Sequence, residues 1–321
     1  MDLHAEKTTG DQTTDGCIAC RTCGAEYPIR DGIPRMSPSH ETRTEHRTRH
    51  GFNYQLARQI TSHGGHDDES GYKIPAAFFQ ATEMDEGEAR LYFRDKVFLD
   101  VGCGLGQYSS AALNLGATVI SLDINDSGLA AYARHHVAND RQHVVQASAL
   151  HLPLRDECVD YSWSMGVLHH TDDLRLGFRE MARVLRRGGV HNVGIYYKYK
   201  HWTYYERMRK VTTRLPYFLL NPICNILAIL SYVPFMSFLC HPWVNRTESF
   251  HSRAIGAFDH FHPPVQGYYT PAEVRAWYHA LGCFGDIHMT QPFNNFVAVK
   301  TASLPAAEPR ADSASTLVSS N

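Results

Sequence analysis

Three glycines at alternate positions, Gly102, Gly104 and Gly106, stand directly after the apolar run Val97-Phe98-Leu99-Asp100-Val101. A chain that turns this tightly from strand to helix needs residues that accept φ > 0, and bare backbone where a ligand approaches. The chemistry on offer is the cradling of a nucleotide-type ligand, with Asp100 as a carboxylate entering the turn. The spacing differs from the dinucleotide fingerprint G-x-G-x-x-G. Its third glycine comes one position early, and Gln107 stands where the dinucleotide glycine belongs. Asp123 is the second group. It follows the run Thr118–Leu122, 17 residues beyond Gly106, and in an open α/β sheet that position brings its carboxylate beside the glycine turn, where it can accept both hydroxyls of a ribose. Helix capping is the competing role, but Asp126 is available for that. Ile124 offers either an apolar face to a purine or an ordinary core contact. The third group is His170, after the run Val159–Met165. An imidazole just past the carboxyl end of such a strand stands at the ligand crevice, and where the acceptor is a hydroxyl His170 is the candidate general base. His169 beside it points elsewhere, toward an acceptor or into structure.

The elements that must carry these groups alternate strand and helix from about residue 76 to 301, which predicts a parallel sheet with crossover helices. Strands are predicted at 97–101, 118–122, 144–147, 159–165 and 190–197, with a final pair at 286–290 and 296–300, plausible as antiparallel edge strands. Helices are predicted at 108–115, from 127 to about 139, and at 174–185, closed by Arg186-Arg187-Gly188-Gly189. A further helix starts at Thr270-Pro271-Ala272-Glu273, where Thr is the N-cap, Pro the first helical residue and Glu its capping-box partner. Residues 1–16 and 302–321 are polar and predicted disordered. Residues 17–36 form a compact Cys- and Pro-containing unit, and 37–75 a linker with one helix near 52–60. With 321 residues, 43% hydrophobic content and a net charge of -2, the chain suits a globular protein without the basic footprint of a nucleic-acid binder. Eight cysteines in so long a chain are no disulfide framework, and the polar start lacks the apolar run of a signal peptide, so a cytoplasmic location is expected.

Four segments then follow at a telling spacing: Ala147-Ser148-Ala149-Leu150-His151-Leu152-Pro153-Leu154, Cys158-Val159-Asp160-Tyr161, Gly166-Val167-Leu168-His169-His170, and Glu180-Met181-Ala182-Arg183-Val184-Leu185-Arg186-Arg187-Gly188-Gly189. Together with the glycine turn they resemble, over roughly residues 90–200, the motif series of the class I S-adenosylmethionine-dependent methyltransferases of the methyltransferase type 11-like kind. The resemblance implies an α/β, Rossmann-like, seven-stranded and mostly parallel sheet with helices on both faces. It implies S-adenosyl-L-methionine as cofactor, bound by Asp100, Gly102, Gly104, Gly106, Asp123, Ile124, Ser148, Ala149 and Met165. Two departures stand out. Ser148 occupies the place of an Asp that often contacts the adenine amino group, and Arg187 replaces the Pro before the double glycine.

The unit Cys17-x-x-Cys20-x-x-Cys23-Gly-Ala-Glu-Tyr-Pro-Ile-Arg-Asp-Gly-Ile-Pro resembles the second half of a Trm112-like zinc ribbon whose first half is missing. Structural zinc takes four ligands. Cys17, Cys20 and Cys23 are the candidates here, with His4 or His40 to complete the set, against a metal-free remnant that packs by its Tyr-Pro-Ile face. Residues 198–269 read as a helical lid and substrate insertion. Its stretch 215–243 is the most apolar in the chain, but Pro216, Pro222 and Pro234 interrupt it, and both ends must return to one sheet. A lid or a peripheral membrane contact is therefore expected rather than a span. The loop Asp259-His260-Phe261-His262-Pro263-Pro264-Val265-Gln266-Gly267-Tyr268 resembles a stretch in ribbon-bearing relatives of the family. Asp259, His260, Gln266 and Tyr268, with His169, are its candidate substrate-binding residues. The function implied is methyl transfer to an O or N of a small or lipid- or glycan-linked molecule. The alternatives are an RNA or ribosomal-protein methyltransferase and a non-catalytic cofactor-binding module.

Overall fold

The computed structural model describes residues 1–9, 12–37, 42–63, 74–136, 139–198, 202–233, 249–290 and 295–305. Parts of the expected linker (38–41 and 64–73), of the apolar stretch (234–243) and of the tail (306–321) lie outside the described residues.

A small four-stranded sheet opens the chain, ordered β1 (Asp2–Thr9), β2 (Gln12–Ala19), β3 (Glu26–Arg30) and β4 (Ile33–Pro34). The expected disorder over 1–16 is therefore corrected. β1 pairs antiparallel with β2 from Asp2↔Ala19 to Thr9↔Gln12, and β2 pairs onward with β3. β1 is exposed nearly throughout, so backbone hydrogen bonding rather than an apolar face organises it. The helix expected near 52–60 is much longer: α1 runs Arg43–His63, started by a Thr42–Glu45 capping box in which Thr42 Oγ1 accepts the Glu45 N–H and Glu45 Oε2 accepts the Thr42 N–H.

After α2 (Ala76–Thr82) and α3 (Glu86–Phe93) the main sheet begins: β5 (Val97–Val101), α4 (Gln107–Asn114), β6 (Thr118–Asp123), α5 (Ser127–His136), β7 (Gln142–Gln146), β8 (Val159–Met165), α6 (Leu174–Val184) and β9 (Leu185–Gly194). The insertion then supplies α7 (Trp202–Thr212), α8 (Tyr217–Leu230) and α9 (Phe250–Phe261). The chain closes with α10 (Pro271–Leu281), β10 (Phe284–Thr290) and β11 (Asn295–Lys300). The sheet order is β10-β11-β9-β8-β5-β6-β7. The five strands β5 to β9 pair in parallel and β10 and β11 antiparallel, so the seven-stranded, mostly parallel fold is as expected. The strand boundaries fall within a few residues of expectation except at one place. β9 starts at Leu185, paired with Val159 across a register irregularity, rather than at Val190 after a turn.

Alternation along β5 sorts the core. Phe98 joins Tyr161, Trp163, Phe78 and Phe93 on the α2–α4 side, and Leu99 and Val101 join Phe178, Met181, Trp277 and Tyr278 on the other. The amino-terminal sheet covers the β7 edge. Arg35 forms a parallel bridge to Gln146, Met36 donates its N–H to the Gln146 carbonyl at 2.7 Å, and Ile33 is buried against Leu129 and Ala133 of α5. An otherwise open strand edge is thereby paired.

Candidate active site

Strand order reverses between β5 and β8, and the crevice at the carboxyl ends of an open α/β sheet at such a point is where ligands bind. A cavity lies there, lined by Gly102, Gly104, Asp123, Ile124, Ser148, Ala149, Met165 and His170. Eight of the residues expected at the site thus meet in one place. The turn is held from behind: the N–H groups of Gly102 and Cys103 both donate to the Leu122 carbonyl. Asp123 Oδ2 accepts the Gly104 N–H at 2.8 Å and Oδ1 the Asn125 N–H at 2.9 Å. Burial pushes its carboxyl upward against these donors. Helix capping falls to Asn125, whose Oδ1 accepts the Gly128 N–H. Asp126 instead meets Arg35 and Arg49.

Two expected cofactor contacts do not line the cavity. Asp100 is buried beneath the turn because the pleat aims it toward α4, where Ser109 Oγ donates to it at 2.7 Å. Burial raises it to about 7 against that hydrogen bond. Behind it a polar chain continues through Ser121 and Gln142 to the Tyr132 hydroxyl. Gly106 is the N-cap of α4 and lies against the Tyr132 ring. Both pack behind the turn.

Sequence reasoning missed the roof. Glu45, Thr48, Phe52 and Leu56 of α1 line the cavity, at spacings of three and four that place them on one helical face. That spacing was the available signal, hidden in a polar segment. The same helix braces the loop after Asp123: Asn53 Oδ1 accepts the N–H groups of Asp126 and Ser127. Glu45 Oε1 stands 3.5 Å from Ser148 Oγ, which sets a carboxylate beside the position where the resemblance lacked one.

The expected substrate residues gather behind His170. His169 and His170 have ring centroids 4.2 Å apart, and His169 lies 3.9 Å from Tyr196. Tyr196 donates its hydroxyl to Asp259 Oδ2 at 2.7 Å, and Gln55 of α1 donates to Oδ1 at 3.2 Å. Arg209 donates to the carbonyls of His260 and Pro263 and to Gln266 Oε1, while Gln266 donates to Tyr268. None of Asp259, His260, Gln266, Tyr268 and His169 lines the cavity itself; they form its backing, with His169 and Tyr268 buried and the other three half-buried. Burial holds His169 and His170 below their ordinary 6.5 and His260 at about 3, so the imidazoles are neutral. His170 Nδ1 lies 3.1 Å from the Val265 carbonyl. A carbonyl only accepts, so Nδ1 carries the proton and Nε2 is left as a bare acceptor. That Nε2 is buried without a partner.

Cys17 lies on β2, and Cys20 and Cys23 on the turn that follows. Among the described residues, no group of three or more His, Cys, Asp or Glu is arranged to hold a metal ion, and no helix is long and apolar enough to cross a membrane.

Residues 99–193 match the family model of the methyltransferase domain. Over 92 residues the chain is 38% identical to a malonyl-[acyl-carrier protein] O-methyltransferase of Pectobacterium atrosepticum, a match covering 29% of this chain and 35% of that protein. Over 126 residues it is 40% identical to the methyltransferase GfsG of Streptomyces halstedii, covering 38% and 42%. The chain therefore spans less than half the length of these relatives. Among solved structures, a complex between the Haloferax volcanii Trm112 methyltransferase activator and a methyltransferase aligns with a TM-score of 0.46 at 15% identity, over 79% of this chain and 98% of that one. The chain carries a methyltransferase domain over residues 99–193.

Proposed function

We propose that the protein is an S-adenosylmethionine-dependent methyltransferase acting on an oxygen of a small or lipid- or glycan-linked acceptor. The observation that carries this reading is the cavity that runs from the Asp123 carboxylate to His170, whose buried Nε2 lacks a partner. The residues fit the cofactor. Asp123 has acceptor capacity for ribose hydroxyls beyond its two backbone donors, Gly102 and Gly104 keep the floor bare, and Ile124 and Leu150 give apolar walls for a purine. Ser148 and Glu45 are the polar groups at the end where a base amine needs an acceptor. When bound, S-adenosylmethionine supplies an activated methyl group on its sulfonium.

The remaining work belongs to this chain. His170, neutral and fixed as the Nδ1–H tautomer, takes the proton of an acceptor hydroxyl on Nε2. Phe52, edge-on to His170 at 5.2 Å, and Leu56 exclude water from that transfer. The hydrogen-bonded cluster of Tyr196, Asp259, Gln266, Tyr268 and Arg209 backs His170 from outside the cavity, with the insertion as the lid over the acceptor. We read the amino-terminal unit as a zinc-ribbon remnant that covers the sheet edge and supports α1. An oxygen acceptor is favoured over nitrogen because an unpartnered imidazole nitrogen is of most use where a hydroxyl must lose its proton. The Pectobacterium relative is likewise an O-methyltransferase.

The test is incubation of the purified protein with methyl-labelled S-adenosylmethionine and cell extract, followed by fractionation. Label in the small-molecule or lipid fraction supports the reading. Label confined to RNA or protein, or in no fraction, rejects it.

A further inference from the structure

Helix α8 has two apolar faces, and among the described residues only the inner one is covered. Leu220, Cys224 and Ala228, spaced by four, are buried, and Leu220 and Cys224 pack with Ala257, Phe258 and Phe261 of α9. The opposite side carries Phe218, Leu219, Ile223, Ile226, Ile229 and, just past the helix, Val233. Phe218 is 73% exposed, Ile229 58% and Ile226 55%. At 100° per residue these positions span the arc facing away from Leu220, Cys224 and Ala228. A continuous apolar arc of this kind is an interaction surface rather than scattered surface residues.

The neighbouring charge says what covers it. Arg207, Lys210 and Arg214 are all exposed, and their spacing of three and four sets them along one side of α7 and its exit turn, leading directly into α8. A second copy paired about a two-fold axis would bring two such cationic rows to the rim of one interface, where like charges repel. An anionic lipid surface neutralises the row and accepts the apolar arc, the pairing of features that places a helix in a membrane interface. α9, on the inner side of α8, carries Asp259 and His260, so the surface lies one helix away from the polar cluster behind His170.

We propose that the outer face of α8, with the Arg207–Lys210–Arg214 row, docks the protein peripherally on an anionic lipid surface. This docking does not depend on the reaction proposed above.

The experiment is co-sedimentation of the full chain with phosphatidylcholine vesicles, with and without phosphatidylglycerol, alongside light scattering for the oligomeric state. The expected result is binding to the anionic vesicles at least about tenfold tighter than to neutral ones, weakened by salt. Two independent double variants, Ile226→Asp with Ile229→Asp and Lys210→Glu with Arg214→Glu, each lower that binding by about tenfold or more. Their thermal midpoints stay unchanged because every altered side chain is exposed. Binding to neither composition, or equal binding to both, overturns the proposal. So does a dimer that the isoleucine variant breaks while vesicle binding is retained.

Discussion

Two glycines of the same turn should respond differently to the same substitution. Gly104 and Gly106 both have positive φ, 56° and 77°, so alanine at either place adopts the left-handed region at a cost of about 1 kcal/mol. Their surroundings differ. A Cβ on Gly104 meets only Leu56 Cδ2, at 3.8 Å, an ordinary contact across the cavity with the α1 roof. A Cβ on Gly106 lands inside the envelope of the Tyr132 ring, against three of its carbons. That ring cannot yield freely, because its hydroxyl donates to Gln142 Oε1 at 2.7 Å in the chain that ends at Asp100. Overpacking of this sort adds about 1–3 kcal/mol. Gly106→Ala should therefore lose about 3 kcal/mol of folding stability and Gly104→Ala about 1 kcal/mol. The order reverses for ligand binding. Gly104→Ala narrows the cavity itself and should weaken S-adenosylhomocysteine at least about tenfold, since backbone approach is what the glycine permits. Urea unfolding gives the stabilities and calorimetric titration the affinities. Equal destabilisation by both variants, or a larger loss in Gly104→Ala, refutes the assignment of Gly106 to the packing behind the turn and of Gly104 to the cavity.

Two further outcomes follow from the buried titratable groups. His170→Gln should lower kcat by about 100-fold or more while S-adenosylhomocysteine affinity changes only a few-fold. Because burial holds His170 below 6.5, the wild-type rate should stay flat through neutral pH and decline only on the acid side of that value; a break at or above it contradicts a buried neutral base. Asp100 rises from its ordinary 3.8 to about 7 on folding, so the folded state retains a proton that the unfolded chain releases. Its contribution to stability is complete below pH 3.8 and is lost as pH rises to about 7. At about 1.4 kcal/mol per pH unit the loss amounts to about 4 kcal/mol. Denaturant midpoints across that window should fall in the wild type relative to Asp100→Asn, and parallel curves would refute the burial of an ionisable group there.

Much of the site was legible because the sheet dictates it. Apolar runs of five to seven residues with a carboxylate or glycine at the end mark strand ends, and parallel pairing brings those ends to one crevice; hence Asp123, Ile124 and His170 were found together. The Thr270–Glu273 start was equally legible, and both halves of its capping box form. The place of Asp100 behind the turn was not legible from the motif, because the pleat decides which side a residue faces, and alternation sets Asp100 with Phe98 toward α4. The roof was illegible for a different reason. α1 buries Thr48, Gln55 and Leu56, and two of these three are polar, so hydrophobic periodicity carried almost no signal. β1 was missed likewise, its pairing resting on backbone groups that any sequence possesses.

The central claim is the S-adenosylmethionine site built on Asp123, and equilibrium titration with S-adenosylhomocysteine of the wild type and Asp123→Ala tests it most directly. Saturable binding to one site in the wild type is predicted, weakened in the variant by about 2 kcal/mol or more, about 30-fold, as ribose hydroxyls lose a charged acceptor. No binding by the wild type, or equal affinity in both proteins, would contradict it.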